Sequence, residues 1–381
     1  MMWEKTTIGK HCTVTSSKRF HLSDRSDSGI PFYCSKEIIQ KVNGQEITDY
    51  DYIKVESYEE VKKKFGVPEC GDLLITTRGT YGVPYLYNAE DKFYFADGNL
   101  TWLKDFDDLL VAEFLYYWIL SYEGQKKIDA IAKGTAQKAV PIALIKDIEL
   151  SIPDVEMQKK IAKILTAYDD FIENNQKQIK LLEEAAQRLY KEWFVDLRFP
   201  GYEDVEIVDG VPEGWKKAKV TDFIEVKYGK DHKALANGNT PVYGSGGVMR
   251  YVKPILYSGE SVLIPRKGSL NNILLVSGDF WTIDTMFFSI PKLKNVAKYT
   301  YLFLKGIDMY SFNIGAAVPS MTVKILGGID ILHPTDTVLE QFERIISPIF
   351  EMKTILERQI KEAEQARDRL LPKLMSGEIE V

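Results

Sequence analysis

Between residues 154 and 194 the apolar positions return at alternating steps of four and three: Ile161, Leu165, Tyr168, Ile172, Asn175, Ile179, Leu182, Ala186, Leu189 and Trp193. This is the seam of a coiled coil, and Asn175 is a polar position on it of the kind that fixes register at some cost in stability. A matching seam follows 181 positions later, formed by Phe342, Ile346, Ile349, Leu356, Ile360, Ala363, Leu370 and Leu374, with Lys353 and Arg367 as polar interruptions. A single amphipathic helix of ordinary length would lie on its own domain. Two helices of about 40 residues, each about 60 Å long, are too long for that and are expected to pack on each other. Asp154 and Glu156 in the first turn of one, and the Thr337/Glu340 capping box of the other, mark where they start.

Helix composition can repeat by chance, but here the repeat extends beyond the helix. The stretches GTAQKAVPIALIKDIELSIP (134–153) and GAAVPSMTVKILGGIDILHP (315–334) each run from a glycine, through an apolar segment, to a short strand-like stretch closed by proline. The alignment continues without a gap to Phe194 and Met375. The chain is therefore an internal duplication. Ahead of each helix lie Gly-bounded runs rich in Ile, Thr, Tyr and Phe, at 71–104 and 259–290, with the rhythm of strand, basic turn, strand, turn and strand. Trp3 and Trp215, each followed by IPFY or TPVYG, open the two segments.

The pattern predicts an α+β fold: two sheet-rich domains related by approximate twofold symmetry, joined by two long antiparallel helices that form a coiled coil. The boundaries read as 1–153 for the first domain, 154–198 for the central helix, 199–334 for the second domain and 335–381 for the C-terminal helix. The Pro- and Gly-rich stretch 199–215 is the hinge between the halves.

Composition narrows the function. A length of 381 residues suits two domains. No run of about twenty apolar residues is present, and the N-terminus has no secretory pattern, so a cytoplasmic protein is expected. Cys12, Cys34 and Cys70 are odd in number and widely spaced, against both a disulfide framework and a zinc knuckle. The net charge of −6 argues against an unspecialised grip on nucleic acid. Residues 1–133 carry 17 basic and 21 acidic side chains, whereas 200–314 carry 14 and 12. Acidic helices suit a scaffold that holds proteins.

Catalytic motifs are missing. The sequence has no G-x-x-x-x-G-K-[ST] loop, no N-P-P-[YF] run for base methylation, and no histidine pair at metal-binding helical spacing among His11, His21, His232 and His333. YGSGG (243–247) reads as a turn, and the Glu-x-Lys of IEVK (224–227) as part of an ordinary strand.

The order and duplicated spacing of LLITTRGTYG (73–82), the 134–153 stretch, the helix ending KQIKLLEEAAQRLYKEWF, VPEGW (211–215) and RDRLLPKLMSGEI (367–379) make the whole chain resemble the DNA-specificity subunits of type I restriction-modification systems. That resemblance implies two target-recognition domains, each reading one half of a split site in double-stranded DNA, with the helices as spacer. It also implies two modification (methyltransferase) subunits, and usually restriction (translocase-endonuclease) subunits, assembled on a chain that carries no catalytic residue. S-adenosylmethionine, and ATP with Mg where a restriction subunit is present, would then bind partner subunits. The second half departs at GAAVPS, where Val318 and Pro319 replace Gln137 and Lys138.

Base edges carry sequence and phosphates carry position, so Arg, Lys, amide and hydroxyl side chains on turns are the natural readers. Thr77, Arg78, Thr80 and Tyr81 cluster at one Gly-bearing turn; Arg266, Lys267, Ser269, Asn271 and Asn272 occupy the comparable place in the second half, with Arg78 set against Arg266. Gln137 and Lys138, and Lys230, His232 and Lys233, are further candidates. By composition alone these are also solvated hairpin tips, and the resemblance moves them towards DNA contact. A coiled-coil adaptor with two ligand- or peptide-binding domains, or an enzyme with an unrecognised site, remain as alternatives.

Overall fold

The computed structural model describes residues 3–134, 138–315 and 317–381. It comprises two compact units, Met1–Gln176 with Arg358–Val381, and Lys177–Glu357. The sequence places its boundaries at the helix ends, whereas the compact units divide inside the helices. Each unit thus owns one sheet-rich domain and a segment of both long helices.

The first unit runs β1 (Glu4–Thr7), α1 (Ile8–His11), β2 (Thr13–Thr15), β3 (Arg25–Ser26), β4 (Ile30–Tyr33), α2 (Ser35–Val42), β5 (Asp51–Ile53), α3 (Val55–Phe65), β6 (Leu73–Thr76), β7 (Pro84–Leu86), β8 (Tyr94–Phe95), β9 (Leu100–Lys104), α4 (Ala112–Leu120), α5 (Tyr122–Ile131), α6 (Ile142–Ile145), β10 (Glu149–Ile152) and α7 (Val155–Tyr190), which continues past the unit's end. Its sheets have the orders β2-β9-β6-β7, β3-β5-β4-β8 and β1-β10. Of these pairings only β4 with β8 is parallel, with Phe32 opposite Tyr94.

The second unit adds β11 (Ile207–Val208), β12 (Val211–Pro212), β13 (Lys216–Lys219), α8 (Val220–Phe223), β14 (Ile224–Tyr228), β15 (Asn237–Gly244), β16 (Gly247–Val252), β17 (Tyr257–Ser258), β18 (Ser261–Pro265), β19 (Leu274–Val276), β20 (Asp279–Thr282), β21 (Met286–Pro291), α9 (Ala297–Lys305), α10 (Val323–Leu326), β22 (Asp330–His333) and α11 (Asp336–Met375). The topology repeats except for one outer strand, β3 lying outside β5 in the first unit and β17 outside β20 in the second. The orders are β14-β21-β18-β19, β16-β15-β20-β17 and β13-β22, and again the one parallel pairing, β15 with β20, sets Val242 opposite Trp281. The IPFY and TPVYG stretches are the matching strands β4 and β15. Beyond these strands the units diverge: the first inserts α2 and α3, whereas the second turns straight back through β16.

Every seam position from Ile161 to Trp193 and from Phe342 to Leu374 is buried or half-buried. In the first unit Arg367 Nη1 donates to Asp169 Oδ1 at 2.7 Å, and Asn175 Nδ2 to Gln359 Oε1 at 3.3 Å, so one helix number rises as the other falls. In the second, Lys353 pairs with Glu183, and Tyr190 and Trp193 meet Phe342 with ring centroids 6.4 and 5.7 Å apart. The helix segments are antiparallel in both units, and the polar interruptions Lys353 and Arg367 have acidic partners on the facing helix. A π-helical turn, Lys191–Val195, prolongs α7 and turns both Trp193 and Phe194 into the core.

Asn175 is only 2% exposed, and an amide in such a layer is retained for register rather than stability. Replacing the layer with Asn175→Leu and Gln359→Leu is expected to raise the unfolding midpoint while permitting alternative registers. Calorimetry with cross-linking across the seam reads both effects, and a lower midpoint would mean that the amide pair is net stabilising.

Each domain is fastened to its helices differently. In the first unit the fully buried Gln158 of α7 accepts from the Val111 N–H at 2.9 Å and donates to the carbonyls of Leu109 and Pro153, both at 2.9 Å. In the second, Lys298 of α9 reaches Glu260 and Glu343, each at 2.7 Å, and Ser347 Oγ donates to the same Glu343 oxygen. At the repeat offset Leu339 stands where Gln158 does, and Ala162 where Glu343 does.

Candidate nucleic-acid interface

Strand β6, Leu-Leu-Ile-Thr, is buried along its whole length and delivers the chain to the surface at Arg78. Thr76 holds the turn from beneath: its hydroxyl donates to the Thr80 carbonyl at 2.9 Å and accepts from the Val83 N–H at 3.0 Å. Gly79 and Gly82 have φ of +71° and +80°, a left-handed conformation in which a side chain is strained. Arg78 and Thr80 are exposed. The Arg78 guanidinium lies beside Gly98, where an added Cβ would stand 3.7 Å from Nη2.

Two of the sequence candidates here have internal roles. Thr77 is 2% exposed; its N–H donates to the Asn99 carbonyl at 2.8 Å and its hydroxyl to the Gly98 carbonyl at 3.3 Å, so it anchors the turn and presents nothing to solvent. Tyr81 packs on the domain core, and its hydroxyl is hydrogen-bonded to Asp129, which pushes the phenol pKa up. Lys138 is exposed; Gln137 lies outside the described residues. The Val140 N–H donates to the Thr77 carbonyl at 2.9 Å and Arg78 bridges Ala139, so the segment leading to α6 is tied to the turn.

The second unit repeats this construction one residue out of step with the sequence expectation. The Arg266 N–H donates to the Thr285 carbonyl at 2.8 Å, its carbonyl accepts from Met321 at 2.9 Å, and Lys267 bridges Ser320. Ala139 and Ser320 are partners at the repeat offset, as are Val140 and Met321, so Arg78 corresponds to Lys267 and Thr77 to Arg266. Aligning Gly79 with Gly268, whose φ is +87°, gives the same answer. Lys267 is exposed. Arg266 is half-buried, donating to the Asp284 carbonyl at 3.1 Å with its guanidinium 5.4 Å from the centre of the Tyr228 ring.

The remaining candidates divide the same way. Asn271 donates to Asp308 at 3.1 Å and accepts from the Met309 N–H at 2.8 Å, while Asn272 donates to the Ser245 carbonyl at 2.8 Å; both are struts that hold neighbouring turns. Ser269 is exposed. Lys230 and Lys233 are exposed on the loop after β14, where the Lys230 N–H donates to the Thr282 carbonyl at 2.8 Å and its carbonyl accepts from Trp281 Nε1 at 3.0 Å. His232 beside them is half-buried, its Nδ1 without a hydrogen-bond partner among the described residues. N–H donation from Lys233, helped by His232, holds the Asp231 carboxyl below its usual range. The same position in the first unit carries Lys18, which sequence reasoning passed over; its N–H donates to the Tyr94 hydroxyl at 2.8 Å and its ammonium sits 3.9 Å from the centre of the Phe65 ring.

One array, buried at Thr6 and His11 and open at Asp107, has the order of a hydrolytic triad. His11 joins Thr6 Oγ1 at 2.8 Å to Asp107 Oδ2 at 2.9 Å. Thr6 is 7% exposed within the β1–β10 pair, and Asp107 also accepts from the Leu109 and Leu110 N–H groups, so the array ties β1 and α1 to the segment before α4. Burial acts to raise the Asp107 pKa, and these hydrogen bonds outweigh it, leaving the carboxyl below its ordinary value. Among the described residues no group of three or more His, Cys, Asp or Glu side chains could hold a metal ion. The exposed turns offer cationic and hydroxyl donors, the chemistry that meets phosphates and base edges.

The family model of the type I restriction modification DNA specificity domain matches residues 2–184 and again 212–365, one match per half. The chain belongs to that family. The MjaIX type I restriction enzyme specificity subunit of Methanocaldococcus jannaschii is 25% identical over 378 residues, covering 89% of this chain and 86% of that protein. The HindI specificity subunit of Haemophilus influenzae is 22% identical, covering 71% and 78%. In fold, the chain is similar to the crystal structure of a type I restriction-modification S subunit from M. genitalium, with a TM-score of 0.65 at 17% identity over 98% of this chain and 96% of that one. Arg78 and Lys267 are the corresponding exposed basic positions of the two halves that the family model matches.

Proposed function

We propose that the chain is the sequence-reading subunit of a type I restriction-modification complex, in which each module reads one half of a bipartite site in double-stranded DNA and the antiparallel helices set the separation of the halves. The observation that carries this reading is the duplication of one device: an exposed basic residue on a glycine turn, held from beneath by a buried strand and from the side by the segment that leads into a long helix. Two modification subunits dock on this scaffold, with restriction subunits where the system has them. S-adenosylmethionine, and ATP with Mg, belong to those partners. A net charge of −6 fits a subunit whose phosphate affinity comes largely from assembly. Among the described residues no helix is long and apolar enough to cross a membrane, and the work proposed here is cytoplasmic.

Sequencing modified bases in cells with and without this gene tests the reading. A split methylated motif that disappears on deletion is expected; an unchanged set of modified motifs would count against it. The purified chain alone, supplied with S-adenosylmethionine, is expected to transfer no methyl group to DNA, and should do so only after its modification partners are added. Transfer by the chain alone, surviving removal of contaminants, would assign it an active site of its own.

A further inference from the structure

We infer that the two-residue turn Ser245–Gly246, which joins β15 to β16, is a second DNA-contacting element of the second unit, one that receives the phosphodiester backbone of a duplex against bare main chain. The inference rests on the proposed reading of the chain as a DNA-recognition subunit.

The turn belongs to the recognition corner rather than to a remote hairpin. The Ser245 carbonyl accepts from Asn272 Nδ2 at 2.8 Å, and a Cβ added at Gly268 would stand 3.0 Å from Ser245 Oγ. Gly268 is where the local turns converge: its N–H donates to the Pro319 carbonyl at 3.0 Å and its carbonyl accepts from the Tyr310 hydroxyl at 3.4 Å. Exposed Lys267 immediately precedes it. Of the acidic groups nearby, the Asp308 carboxylate accepts from Asn271 and the Tyr310 N–H; Asp284 is exposed, and Arg266 donates to its backbone carbonyl.

Gly246 is exposed, and neither it nor Gly247 would bring an added Cβ within 4 Å of any atom. At Gly246 and Gly247 no side chain keeps a phosphate strand from hydrogen-bonding distance of the backbone, and bare main chain carries nothing that could tell one base from another; the one side chain of the turn, that of Ser245, lies against Gly268. The first unit has no counterpart. After Tyr33, the partner of Tyr243 in the repeated parallel pairing, its chain enters α2, and Ser35 Oγ donates to the Asn99 carbonyl at 2.9 Å.

Gly246 is not among the positive-φ glycines, so a side chain there fits both the space and the backbone. In the complex assembled with modification subunits, Gly246→Leu is expected to leave thermal unfolding unchanged and to weaken binding about tenfold, alike on DNA with and without the recognition site. Gly246→Lys is expected to strengthen binding at low salt and to steepen the dependence of log K on log salt by about one. Unchanged binding by Gly246→Leu, a loss confined to site-bearing DNA, or an unchanged salt slope for Gly246→Lys would each overturn the phosphate contact while leaving the recognition reading in place. A wild-type complex that binds no DNA would remove that reading, and the turn's role with it.

Discussion

Lys298→Met is expected to destabilise the second unit by about 3 kcal/mol, because it strips the cation from between two carboxylates. The Lys298 side chain is 10% exposed, and both Glu260 and Glu343 lie 2.7 Å from its ammonium. With the lysine gone, the two carboxylates lose the ammonium that joins them. Removing Glu343 as well, in Lys298→Met with Glu343→Leu, should recover part of the loss, because an apolar replacement of a buried pair is often neutral and the carboxylate left behind, Glu260, is the more exposed of the two. Denaturant unfolding of the single and double variants measures the coupling. Additive losses would mean that the three groups do not act as a unit. Burial pulls the Lys298 pKa down, but the hydrogen bonds and charges of the two carboxylates outweigh it and hold the pKa above the ordinary lysine value. A group raised on folding contributes fully below its unfolded pKa, so this contribution is constant through neutral pH. It is lost only in strongly alkaline solution, as pH rises through the raised value.

The long helices were legible because their signal is local and repeated. Alternating steps of four and three persist from Ile161 to Trp193, and the ungapped offset of 181 carries Asn175 and its neighbours to the facing helix. Acidic partners for Lys353 and Arg367 were not legible, since Glu183 and Asp169 are distant in sequence and meet them only once the helices run antiparallel. Helices α2 and α3 were missed for a related reason. They interrupt a strand pattern for only 8 and 11 residues, and the second half has no counterpart of them among the described residues, so neither length nor repetition marked them.

The two glycine turns were legible, but the side chains on them were only partly sorted. An amide or hydroxyl that reads a base and one that ties two turns together look the same in a sequence. Asn271, Asn272 and Thr77 proved to be struts because of carbonyls and N–H groups contributed by other segments. Matching Arg78 to Arg266 followed side-chain identity where backbone demand was the better guide. Gly79 and Gly268, both at positive φ, mark the true register and bring Lys267 to the place that Arg78 holds in the first half.

Arg78→Ala and Lys267→Ala should therefore damage different halves of the recognition sequence. Both side chains are exposed at the same place in their modules, and a basic side chain paired with the O6 and N7 atoms of guanine contributes about 1 to 3 kcal/mol of discrimination. Arg266→Ala should behave differently. Its guanidinium is engaged by the Asp284 carbonyl and the Tyr228 ring, so its loss is expected to loosen the turn more than to change which base is preferred. The decisive measurement is competition binding by the complex assembled with its modification subunits, against duplexes altered in one half of the split site or in the other. The account predicts that Arg78→Ala loses discrimination by roughly 5- to 150-fold at one half only, and Lys267→Ala at the other half only. Equal losses on all sequences, with the salt dependence shallower by about one unit, would contradict it and reduce both residues to phosphate contacts.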